Sequence, residues 1–332
     1  MNSTAAPNTS SVNATVSSRI VPSTAEGIAL CTAFSLSFVF IFLGNLLTIV
    51  LFAANKRLRK RSLFLVINMA FADLMLGTLS LPIYIYDVGT RFQFWKGGWP
   101  MSLSIFYTTV DTFFSQASLI SAAFISGERL YAIYWPFKHR TLSMRAYRIS
   151  IVTLWALTLL IAIILSALHL LISFKRATSV WTPYLLTLIF VICGCNIGIW
   201  RKFRHGSVAS QQPSRDLLNK DLTKTLMLVS ILASLSWLPL VIMNCLDIND
   251  VQIPETFYDL VNVINYSNSF ANPVLYALRL PEFREAWALC FLRKPVVPNT
   301  LVLKPASDLR TSRTETSHLQ LAFEQEVLDT KL

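Results

Sequence analysis

Residues 103–134 read LSIFYTTVDTFFSQASLISAAFISGERLYAIY, with no charged side chain between Asp111 and Glu128. At about 1.5 Å per residue such a run outspans the roughly 30 Å hydrocarbon core of a bilayer. Six more runs of this kind flank it: Ile28 to Ala53, Leu63 to Tyr86, Ile149 to Leu171, Thr178 to Trp200, Leu222 to Leu246 and Phe257 to Leu278. Barrel strands alternate apolar and polar residues over about 10 positions, whereas these runs are continuous. The pattern therefore predicts an all-α membrane protein, a seven-transmembrane helix bundle.

Composition agrees. Hydrophobic residues make up 54% of the 332 and charged ones 14%, and the mean hydropathy is +0.52, against a charged share of about 25% in soluble domains. The reading divides the chain into a polar tail at 1–27, a membrane domain at 28–280, a short amphipathic helix on the membrane surface at 281–292 and a polar tail at 293–332.

A net charge of +11 raises the prospect of nucleic acid, but the placement of the charge argues for a lipid bilayer and against nucleic acid. Lys56, Arg57, Arg59, Lys60 and Arg61 follow the first run; Lys138, Arg140, Arg145 and Arg148 follow the third; Arg201, Lys202, Arg204 and Arg215 follow the fifth. Arg284, Arg293 and Lys294 follow the seventh, while the alternate loops hold Asp87, Arg91 and Lys96, then Lys175 and Arg176, then Asp247, Asp250 and Glu255, with no excess of Lys and Arg. Excess Lys and Arg mark the cytoplasmic side, so the N-terminus is expected outside a plasma-membrane protein. Asn2-Ser3-Thr4, Asn8-Thr9-Ser10 and Asn13-Ala14-Thr15 are glycosylation acceptors in that outer tail. Met1 is followed by polar residues, so no cleavable signal peptide is expected. Of the five cysteines, Cys290 lies just past the last run, where juxtamembrane palmitoylation is expected.

A carboxylate in hydrocarbon costs at least about 2.5 kcal/mol, so the few ionisable residues within the runs point to function. Asp111 precedes Arg129 by 18 residues, which is five turns at about 3.6 residues each, so both face one direction. Ser115 and Ser118 fall near the same line. Those 18 residues rise about 27 Å, which puts Asp111 near the outer boundary if Arg129 is at the inner one. The seventh run carries a matching stripe of Asn262, Tyr266, Ser269, Pro273 and Tyr276, with Asn265, Asn268 and Asn272 alongside. Asn262 and Tyr266 are expected to hold and aim the Asp111 carboxylate, and Asp73 is placed to hold a cation with Ser118, Asn268 and Asn272. Pro239 and Pro273 each remove a helical hydrogen bond and are expected to kink the sixth and seventh helices.

Asn45 after Gly44, Asn68-Met69-Ala70-Phe71-Ala72-Asp73, Glu128-Arg129-Leu130, Trp155, Ser236-Trp237-Leu238-Pro239 and Asn272-Pro273-Val274-Leu275-Tyr276 occur in that order. Together they resemble the rhodopsin-like (class A) family of G-protein-coupled receptors over nearly the whole membrane region. The resemblance implies that Arg129, beside Glu128, engages a heterotrimeric G protein when the sixth helix swings out, with Trp237 and Tyr276 rearranging. It also implies that Asp73, Ser118, Asn268 and Asn272 form the family's sodium pocket, sodium being the one cofactor-like ion expected.

Within that family, an Asp five turns before the Arg and a Tyr seven residues before the seventh-helix Pro look like the biogenic-amine receptors. This implies an extracellular small-molecule amine paired with Asp111, in a pocket with Ser115, Asn262, Tyr266 and Trp237. Some features depart from that pattern. Leu240 and Val241 stand where amine receptors usually carry aromatic rings, and Ser104 stands in place of the cysteine that starts the third helix. The Ser173 to Ala177 loop holds no cysteine, so the family's extracellular disulfide cannot form. A peptide or lipid ligand is the alternative within the family, while retinal is disfavoured because the seventh run has no lysine. Asn219, with Asp221 near, stands where many members put an acid that clasps Arg129.

A transporter should show inverted repeats or paired broken spans, and neither is visible. No enzyme is expected: His139, His169, His205 and His318 are scattered without ligand spacing and read as surface or interfacial residues. Ser307, Thr311, Ser312, Thr314, Thr316 and Ser317 in the tail would, if phosphorylated, suit an arrestin-type partner.

Overall fold

In the lipid interior every backbone N–H and C=O has to find its partner within the protein, which leaves the helix as the form for an isolated apolar run. The computed structural model describes residues 23–55, 58, 61–205 and 213–288, with backbone alone at 174, 213–219 and 282. It shows α1 (Thr24–Ala54), α2 (Leu63–Met75), α3 (Leu81–Arg91), α4 (Met101–Tyr134), α5 (Pro136–Thr141), α6 (Met144–Leu171), α7 (Phe174–His205), α8 (Pro213–Ile248), α9 (Glu255–Arg279) and α10 (Pro281–Trp287). The chain divides into Met1–Arg284, which holds the bundle, and Glu285–Leu332, described only as far as Ala288. Asn2, Asn8, Asn13 and Cys290 lie outside the described residues.

The seven spans are α1, α2 continued by α3, α4, α6, α7, α8 and α9. Every span but the second starts before its apolar run and most end after it; α8 begins nine residues ahead of Leu222. Apolarity marks only the part inside hydrocarbon, whereas the hydrogen-bond ladder continues into water. Among the described residues, five helices are long and apolar enough to cross a membrane. The other two spans, α4 and α9, are the ones that carry the polar stripes.

The second span is not one regular helix. Pro82 has no N–H to offer the carbonyl of Thr78, and around that gap residues Leu76–Ser80 wind as a π-helix, with the Leu81 N–H bonding Leu76. The extra residue in that turn rotates everything beyond it and brings Ser80 to the bundle interior, where it is fully buried.

Polarity is arranged inside out. Val152, Leu160 and Ile163 on α6 and Phe190 on α7 face outward and exposed, while Asn45, Asn68, Asp73, Ser121 and Arg129 are buried. Such an apolar exterior suits lipid and would be an aggregation liability in water. The buried groups knit spans together: Trp155 Nε1 donates to Asn68 Oδ1 at 2.9 Å, and Asn68 Nδ2 donates to Ser121 Oγ at 3.0 Å. Asn45 Nδ2 donates to the Ser269 carbonyl at 3.0 Å, the acceptor that Pro273, four residues on, leaves unpaired. Gly44 lets α1 approach that proline, since a Cβ there would lie 3.1 Å from the Pro273 ring.

α6 and α7 are joined by Ile172 and Ser173 alone, because the segment read as a Ser173 to Ala177 loop is helical from Phe174. Cys31, Cys193, Cys195 and Cys245 are free thiols. The start of α4 is instead held by rings of the 92–100 loop: Trp99 packs edge-on to Tyr107 at 6.3 Å and stacks with Tyr86 at the same distance. Gly27 and Gly89 admit Phe92 and Trp95, and a Cβ at either would come within 2.5 Å of a ring atom.

Candidate functional site

Asp111 sits where α3, α4 and α9 converge. Its Oδ1 accepts from Ser80 Oγ at 2.5 Å and from Tyr266 OH at 2.6 Å. Both donors go to one oxygen, and Asp111 lines a cavity of about 30 Å³ together with Ser115, Ser118, Trp237, Asn262, Tyr266 and Asn268, among others. Tyr107 OH stands 3.4 Å from Tyr266 OH. Ser115 Oγ is turned back to its own helix, donating to the Thr112 carbonyl at 3.3 Å.

Asn262 does not hold Asp111 as the stripe on α9 suggested. Its Nδ2 donates to Tyr84 OH at 2.8 Å, because a second carboxylate lies just beyond: Tyr84 OH donates to Asp259 Oδ1 at 2.6 Å. Asp259, 1% exposed, also pairs with Arg91 through two bonds of 2.8 and 3.1 Å. Arg91 further meets Asp87 at 3.2 Å and Glu255 at 3.3 Å. Asp259, Tyr84, Arg91 and Ser80 are thus site residues that the sequence did not yield. The α9 spacing of Asp259, Asn262 and Tyr266 at i, i+3 and i+7 was the available signal for the first.

Toward the bundle centre, Asp73 is fully buried and accepts from Ser269 Oγ at 2.9 Å and Asn272 Nδ2 at 3.0 Å, with Ser118 also on the carboxylate. The Oδ1 atoms of Asn268 and Asn272 are buried without partners. A carboxylate whose donors among the described residues are all neutral, beside unpartnered acceptor oxygens, is a set that a small hard cation would satisfy. Trp237 is 5% exposed, and Tyr276 is fully buried with an unpartnered hydroxyl.

At the far end Arg129, 3% exposed, is bound to its neighbour. Arg129 Nε donates to Glu128 Oε2 at 2.5 Å, Nη2 donates to Oε1 at 2.6 Å, and Nη2 also donates to Ser62 Oγ. Glu128 Oε1 is approached in addition by Ser62 Oγ at 2.9 Å, Tyr147 OH at 2.8 Å and His139 Nε2 at 2.7 Å. His139 is therefore part of this cluster, not a scattered surface residue. Asp221 on α8 meets Lys224 at 3.9 Å; the Asn219 side chain lies outside the described residues. Asp111 and Arg129 do share the interior side of α4, as their five-turn spacing requires.

The chain matches the model of a family described as 7 transmembrane receptor (rhodopsin family) over residues 44–276. It is 23% identical over 301 residues to the adenosine receptor A3 of Ovis aries, covering 82% of this chain and 91% of that one. It is 26% identical over 285 residues to the histamine H2 receptor of Cavia porcellus, covering 75% of each. Trace amine-associated receptor 13c of Danio rerio is 24% identical over 298 residues, 78% of this chain and 84% of its own.

Proposed function

This chain belongs to the rhodopsin family of 7 transmembrane receptors, and from that premise we propose that it binds a small extracellular amine at Asp111 and activates a heterotrimeric G protein through Arg129. The observation that carries the ligand half is the carboxylate itself. Ser80 and Tyr266 fix Asp111 Oδ1 from two sides of the cavity that Asp111 lines, and among the described residues no cationic side chain pairs with this carboxylate. An ammonium supplies the missing charge, and a charge-assisted bond is about twice as strong as a neutral one.

The cavity of about 30 Å³ is small against the ~150 Å³ that takes a benzene ring. The structure is read as the closed state, and the ligand must prefer a wider one, because equal affinity for both would shift nothing. In the closed state Glu128 and Ser62 hold Arg129. In the open one α8 moves aside, Trp237 and Tyr276 rearrange about Pro239 and Pro273, and Arg129 turns to the G protein. Asp73, Ser118, Asn268 and Asn272, with Ser269, would hold a sodium ion whose charge compensates the buried carboxylate. The receptor is read as a plasma-membrane protein with its N-terminus outside, and its phosphorylated tail as an arrestin site.

A nucleoside is the second reading, favoured by the extent of the match to adenosine receptor A3. One experiment separates them: a panel of amines together with adenosine, read as G-protein activation by wild type and Asp111→Asn. The amine reading expects an active amine whose potency falls at least about 100-fold in the variant, the loss of a buried ion pair. An adenosine response that survives the substitution overturns it in favour of the nucleoside.

A further inference from the structure

The Glu128 carboxylate is crowded. Besides Arg129 it receives Ser62, Tyr147 and His139, and the last two also lie 3.2 Å from each other. His139 stands on α5, the short helix between the third and fourth spans, and its side chain is 20% exposed. The groups facing it are Glu128 and the Tyr131 ring from α4, the latter at 6.4 Å, and Tyr147 from α6, while Lys138 and Arg140 flank it in sequence on its own helix and are exposed. Arg61 reaches the same turn by bonding the Arg140 and Leu142 carbonyls. Of all these chemistries only imidazole changes its charge between about pH 5 and 8.

We propose that His139 is a positioning residue that acts through Glu128 on Arg129 and makes the release of Arg129 sensitive to protons on the cytoplasmic side. The proposal rests on the reading of Arg129 as the coupling residue. With a neutral imidazole, Arg129 is the only cation on Glu128 among the described residues, and the Glu128 side chain is 10% exposed. Withdrawing the guanidinium then strands a desolvated carboxylate, so the closed state is favoured. With an imidazolium 2.7 Å away, the carboxylate keeps a counter-charge after Arg129 leaves, and the two cations repel each other while both remain. The proton is therefore bound more tightly when Arg129 has departed. By linkage, acidification moves the receptor toward the open state.

The test reads opening directly and needs neither agonist nor G protein. An environment-sensitive fluorescent amino acid at Lys224, on the exposed part of α8, is followed in nanodiscs holding the whole receptor, with His139 intact, His139→Gln or His139→Arg. Gln keeps a neutral donor and Arg a fixed charge. The open fraction is expected to rise about threefold between about pH 7.8 and about pH 6.2 with His139 intact. His139→Gln should stay at the alkaline level and His139→Arg at the acid level, both without a pH slope. An equal slope in His139→Gln, or none with His139 intact, overturns the proposal. Failure of the underlying reading is distinguishable, because it would appear as Arg129→Ala receptors that still activate a G protein.

Discussion

The pair of Arg91 and Asp259 ties the second span to the seventh, and its two halves should fail unequally. Asp259 is 1% exposed and, among the described residues, bonds Tyr84 alone besides Arg91, whereas the Arg91 side chain is 27% exposed and also meets Asp87 and Glu255. Breaking a buried pair by removing one partner costs about 3–5 kcal/mol when the other charge is stranded. Arg91→Gln strands a carboxylate and should cost in that range. Asp259→Asn leaves an arginine with water and two other carboxylates, so its cost is discounted to about 2 kcal/mol. At about 2–4 °C of Tm per kcal/mol for a domain of this size, the losses are about 10 °C and about 5 °C in a thermal-shift assay on purified receptor. The double variant should be no less stable than Arg91→Gln, because removing the stranded charge removes its penalty. Equal losses from the two single variants, or a double variant that melts at the sum of both, would refute the view that burial of Asp259 sets the cost.

Tyr266→Phe removes one of two donors on Asp111, so agonist potency should fall at least about 10-fold, since one hydrogen bond to a charged group is worth about 1.5–3 kcal/mol, with maximal response kept. Unchanged dose–response curves would detach Tyr266 from the site. Asp73→Asn should remove any dependence of agonist affinity on sodium, measured by competition binding in sodium against N-methylglucamine; a sodium effect that survives would place the ion elsewhere.

Much of this arrangement was legible in the chain because a membrane makes polarity expensive. Asp111, Asp73 and Arg129 stand out only because their neighbours are apolar, and the five-turn spacing of Asp111 and Arg129 fixes their common side without coordinates. Ser80 was not legible, since its facing depends on the π turn ahead of Pro82, which breaks the 3.6-residue count. Asp259 and Arg91 were passed over because at a span end a charge is cheap in water, and only packing shows that Asp259 is sealed off. Asn262 was assigned to the right depth and the wrong carboxylate for the same reason. His139 carries no spacing signal, as its partner Glu128 is 11 residues away across the bend from α4 into α5.

The central claim is that a stimulus received at Asp111 is reported by Arg129, and the most direct measurement is agonist-stimulated nucleotide exchange on a G protein by Arg129→Ala receptors whose agonist binding is assayed in the same membranes. Binding should persist while exchange falls to the level of membranes without receptor. Exchange that stays at the wild-type level would contradict it.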